Sequence, residues 1–140
     1  MRIRSAVCSA VCSALIAAVV GGCGFDVRSG DDFLLTRVGE GSRVTLLVND
    51  SGTIRCDGSK PIPISNSLLI AARDLVVNLD ADATRGLAIA STGASVYGYT
   101  IRMQDGTVSF PDTAAGSRHE LAGAEEFVLR ALAGPCRRYG

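Results

Sequence analysis

Tryptophan is absent from this chain, and histidine and lysine occur once each; four phenylalanines and three tyrosines are the only aromatic residues in 140. So little ring surface leaves scant material for a site that stacks sugars or bases. The lone histidine, His119, follows Ser117 by two residues, a spacing that does not put two side chains on one helix face, so a serine–histidine nucleophile is not expected. No catalytic residue is assigned. Zinc needs several Cys or His ligands, and once the later cysteines are modified or bridged only His119 is left. Asp80, Asp82 and Thr84 are spaced like the start of a calcium loop, but Arg85 stands where that loop turns on glycine and Ser91 where it needs a bidentate glutamate. Glu125 and Glu126 are adjacent and read as a solvated helix face rather than an acid–base pair. No metal or cofactor is expected. Basic residues are scattered, apart from Arg137 and Arg138 near the C-terminus, which argues against a nucleic-acid partner.

The longest uncharged run comes first. Arg2 and Arg4 precede an apolar, small-residue stretch from Ala6 to Val20 that ends in Gly21 and Gly22. A positive start followed by about 15 apolar residues is the layout of a secretory signal peptide and is short for a bilayer span, which takes about 20. No second apolar run of membrane length follows.

The sequence Val20-Gly21-Gly22-Cys23 resembles the lipobox of bacterial lipoprotein signal peptides, which sets an aliphatic residue three before a cysteine with small residues between. The resemblance covers residues 1–23. It implies that the Cys23 thiol receives a diacylglycerol and that the leader, residues 1–22, is removed. The membrane would then be a partner through the lipid, with the domain on its extracytoplasmic face. The alternative is an ordinary secreted protein cleaved nearby, for example after Ala18. Thirteen arginines against one lysine point to a GC-rich, actinobacterial genome.

On that reading Cys8 and Cys12 leave with the leader, and three cysteines stay: Cys23, Cys56 and Cys136. If Cys23 carries lipid, the other two form an even pair in an oxidising compartment, and a Cys56–Cys136 disulfide is expected; two separate buried thiols are the alternative. Loss of Arg2 and Arg4 leaves twelve basic against fourteen acidic side chains.

Residues 23–32 read as a short lipid-tethered linker and residues 33–140 as one domain. Within it, the stretches "VTLLVNDSGTIRC" from Val44 and "YTIRMQDGTVSF" from Tyr99 align with one gap, and both alternate apolar and polar residues around a turn. Each reads as a β-hairpin, with turns at Asp50-Ser51-Gly52 and Asp105-Gly106. Cys56 takes the place of Phe110, facing the core. A helix follows each hairpin. The first runs from Ser65 to Ala83, with Leu68 or Leu69, Ala72, Leu75 or Val76, and Leu79 on one side. The second opens with a capping box at Ser117–Glu120 and stops at Gly134-Pro135. A strand at about residues 33–38 precedes the first hairpin through the turn "GEGS". The expected fold is α+β: a two-layer sandwich with an antiparallel sheet of four or five strands and two helices on one face. The segment "TRGLAIASTGAS" reads equally as loop or as short edge strand.

These features favour a non-enzymatic binding or interaction module at the cell envelope, with an envelope protein or a small ligand as its partner. The candidate surfaces are the exposed sheet face, carrying Thr45, Leu47, Thr100 and Arg102, and the loop at residues 84–95, with Leu47 and Arg102 as contact residues. A second reading is a secreted serine protease inhibitor. A strand "LLTRVGEG", a strand ending in cysteine, a proline-containing loop and a helix are similar in order to the subtilisin-inhibitor family, which implies a rigid inhibitory loop beside a disulfide.

Overall fold

The computed structural model describes Val27 and residues 30–140; the leader and Cys23 lie outside the described residues. Six strands form one sheet: β1 (Asp31–Gly39), β2 (Ser42–Asn49), β3 (Thr53–Cys56), β4 (Ile62–Pro63), β5 (Tyr97–Met103) and β6 (Gly106–Pro111). Their spatial order is β4-β3-β2-β1-β5-β6, and every neighbouring pair is antiparallel. Helices α1 (Asn66–Thr84), α2 (Asp112–Ala115) and α3 (His119–Ala133) complete the domain. The fold is therefore α+β, with six strands where four or five were expected. The additional strand is β4, from the proline-containing stretch after Cys56; its brevity suits an edge, where Pro63 need not donate to a further neighbour. β1 begins at Asp31, inside the segment read as linker.

The turns follow from local chemistry. Between β1 and β2, Glu40 (φ 50°) and Gly41 (φ 72°) both adopt the left-handed conformation that a tight hairpin requires. Met103 pairs with Gly106, so the β5–β6 turn consists of Gln104 and Asp105 rather than Asp105 and Gly106. Gly106 instead opens β6 at a point of close backbone approach: a Cβ there would lie 2.0 Å from the Ala83 carbonyl oxygen.

Alternation along the strands sends Phe33, Leu35, Leu46, Val48, Ile54, Ile101 and Val108 to one side, all fully buried. Leu68, Ala72, Leu75 and Leu79 of α1, with Leu121, Ala124, Phe127 and Val128 of α3, meet them in one continuous core. The Phe33 and Phe127 rings meet edge to face at 5.3 Å, joining the central strand to α3. Cys56 and Cys136 form a disulfide with Cα atoms 5.7 Å apart, tying β3 to the chain just past α3.

Ser65 caps α1, its Oγ accepting from the Leu68 N–H at 3.3 Å. The capping box expected at Ser117 does not form: α3 starts after Arg118, and the Ser117 hydroxyl donates to the Ala114 carbonyl at 3.1 Å. The cause is α2, which precedes it. The Ser117 backbone N–H also closes on Ala114, so this serine completes the previous turn instead of starting the next. Glu120 turns to Arg118, accepting from its Nε at 2.9 Å.

The segment after α1 takes the edge-strand form. The Ser109 N–H donates to Leu87 O and the Ile89 N–H to Ser109 O, both at 2.8 Å, making one parallel bridge on the outer side of β6. No helix of the described residues is long and apolar enough to cross a membrane.

Candidate functional site

The core-facing residues occupy every second strand position, so the intervening ones line the opposite face, away from the helices of the described residues. The registers place these outward residues in cross-strand rows. Arg55 of β3 stands opposite Leu47 of β2, Leu47 opposite Leu34 of β1, and Leu34 opposite Arg102 of β5, which in turn pairs with Thr107 of β6. The adjacent row reads Thr45, Thr36, Thr100, Ser109 from β2 to β6. Leu47 and Arg102 thus fall in one row, on either side of Leu34.

Leu34 is only 6 % exposed, although it lies outside the core between the sheet and the helices. Arg43 and Arg55 are exposed, as is Arg102, which also keeps an interaction within the chain. The carboxylates bordering the face sit at its rim and are engaged. Asp57 Oδ1 accepts from the Thr45 N–H at 2.6 Å and its hydroxyl at 3.0 Å, and Asp31 accepts from Asn49 Nδ2 at 3.2 Å. Arg43 and Arg55 join Leu47 and Arg102 only through the register. The signal for Arg55 was in the sequence, since it lies between the inward-facing Ile54 and Cys56.

Other polar clusters lie elsewhere. Asp31, Asp32, Asp80 and Asp105 border a depression of about 220 Å³ at one end of the sheet. Burial and the nearby Asp50 carboxylate push the Asp32 pKa up, while Arg73 opposes them. Among the described residues, no three His, Cys, Asp or Glu side chains are grouped to hold a metal ion. Asp82, only 4 % exposed, ends α1 between Arg85 (2.5 Å) and Arg118 (2.6 Å), pinning the start of α3. His119 is 91 % exposed at its side chain, with Nδ1 3.1 Å from Glu120 Oε2.

At the opposite end from the acidic depression, Arg37 stacks over Tyr97 at 4.7 Å, and the Tyr97 hydroxyl donates to Glu40. Asp112 holds the start of β5, accepting from the Val96 and Tyr97 N–H groups at 3.1 Å each. Burial, with a contribution from Glu125, pushes the Tyr99 pKa up to about 12. Glu125 is raised by burial and then by Asp112, and its buried Oε1 lacks a hydrogen-bond partner.

A row of two leucines between two arginines, beside a row of hydroxyls, can bind through charge-assisted hydrogen bonds and a small apolar contact. It offers no paired acid and base around a cleft. No protein-family model, curated protein or solved structure matches this chain.

Proposed function

We propose that the protein is a lipid-anchored, extracytoplasmic binding module that docks a partner on the face of its sheet away from the helices of the described residues. The observation that carries the docking reading is the Arg55–Leu47–Leu34–Arg102 row, in which apolar and cationic side chains share that face. The anchor rests on Val20–Cys23 and its lipobox pattern. The Cys56–Cys136 disulfide supports export, because such bonds persist in oxidising compartments, and it leaves Cys23 as the one cysteine after the leader available for lipid.

Two measurements test this. Mass spectrometry of the membrane fraction should find a diacylglyceryl mass on a peptide beginning at Cys23; an unmodified Cys23 in that fraction refutes the anchor. A photo-crosslinking residue at Thr36 should capture a protein in intact cells, whereas the same group at helix position Val77, 74 % exposed, should not.

A further inference from the structure

The two edges of the sheet are finished differently. One ends in β4, a strand of two residues with Pro63 inside it and Lys60 and Pro61 just before it. Short strands, proline and lysine are the usual protection of an edge against a further strand. The other edge is the segment after α1. Its bridge between Ala88 and Ser109 uses the Leu87 carbonyl and the Ile89 N–H, so the Ala88 N–H and carbonyl point away from β6. Ala88 and Ala90 are exposed, and neither makes a hydrogen bond with any described residue. From Leu87 to Ile101 the chain has no charged residue and no proline. Arg85, just before this stretch, is tied to Asp82 at 2.5 Å.

An unprotected edge accepts a strand through its main chain, and the flanking side chains select which strand fits. Leu87 and Ile89 are half-buried against the core, whereas Ala88 and Ala90 are small and exposed. The incoming strand must therefore alternate apolar with small residues and carry no charge beside the apolar ones. Residues 87–90 of a second copy have that pattern. When the two segments lie antiparallel about a twofold axis at Ile89, Ala88 of each copy stands opposite Ala90 of the other, each donating to and accepting from its counterpart. Ile89 then meets Ile89 of the second copy, and no like charges are opposed. A lipid surface cannot pair main-chain N–H and carbonyl groups. The paired stretch is short, so association is weaker than across a standard-sized interface.

We infer that residues 87–90 form a homotypic strand-pairing edge, which joins two copies of this chain through one continuous sheet. This is independent of the docking reading, because the contact uses an edge of the sheet and neither of its faces.

The test uses the purified full-length protein in detergent. In the antiparallel pairing Ile89 falls in a non-hydrogen-bonded pair, whose Cα separation of about 4.5 Å lies within disulfide range. Ile89→Cys under mild oxidant should therefore give a covalent dimer at least about tenfold faster than Val77→Cys, whose position on α1 is 74 % exposed. Sedimentation at rising concentration should show the parent chain passing from monomer to dimer. Ala88→Pro should raise the dissociation constant at least about tenfold, because it removes a donor that no internal hydrogen bond uses. Ala88→Lys keeps every main-chain N–H and should weaken the dimer as well, by setting like charges near each other across the axis, while melting with the parent chain. A folding defect in the proline variant therefore cannot account for both. A parent chain that stays monomeric at every concentration, equal oxidation rates for Ile89→Cys and Val77→Cys, or a lysine variant that dimerises as the parent does overturns the inference. In intact cells the Ile89→Cys adduct should have twice the mass of the chain; an adduct of any other mass overturns it in favour of a strand from a different protein.

Discussion

Glu125 lies near Tyr99 and Asp112, and burial first, then the Asp112 charge, raise its pKa above the ordinary 4.5. Its folded form therefore holds a proton more firmly than its unfolded form. Such a group favours folding fully below its ordinary pKa, and that contribution fades as pH rises through the elevated folded value. Glu125→Gln should accordingly melt above the parent protein at neutral pH, and the two melting temperatures should converge below pH 4.5. A constant difference at both pH values would assign the effect to packing instead. This environment was not legible in sequence, where Glu125 and Glu126 form an ordinary acidic pair; only the packing of α3 toward Tyr99 separates the shielded carboxyl from its neighbour. Leu34 shows the same limit. Alternation with Phe33 and Leu35 places it outward, where nothing local predicts that it is only 6 % exposed.

Among the elements, the two helix starts separate a motif from its setting. Ser65 and Ser117 both precede helical patterns, yet only Ser65 accepts a hydrogen bond from the helix it precedes. Ser65→Ala should cost about 1 kcal/mol, the usual worth of an N-cap. Ser117→Ala should cost clearly less, and thermal melts of the two variants compare them directly; equal losses would restore the capping role to Ser117. The missed element explains the missed cap. Pro111-Asp112 before Ala114, Ala115 and Gly116 carries start and stop signals for one helical turn, and that turn claims Ser117. The long helices were legible because their apolar stripes recur at three and four residues, and the structure selects Leu68 over Leu69 and Leu75 over Val76. The β5–β6 hairpin was legible from alternation alone. Its turn was displaced by one residue because Gly106 is required where the chain passes Ala83, a demand invisible within the hairpin itself.

For the whole molecule, the disulfide is the largest single covalent constraint among the described residues. Closing a loop with a sequence separation of 80 contributes about 4 to 5 kcal/mol in the chain-entropy account. Reduction, or Cys136→Ser, should lower the melting temperature by many degrees, and calorimetry with and without reductant measures the loss; an unchanged melt would show that the noncovalent core suffices. The two-layer architecture was readable from the repeated hairpin and helix, whereas strand order was not, because no local pattern says that β1 separates the two hairpins. That central position has a consequence for the sequence of events as the chain emerges from a ribosome or an export channel. β1 and β2 can pair at once, but the other edge of β1 stays bare until β5, about sixty residues later, has emerged. Phe33 waits longer still for Phe127, and Cys56 for Cys136. The sheet therefore cannot close from its first half, and an emerging chain stays open enough to be threaded until nearly all of it has passed.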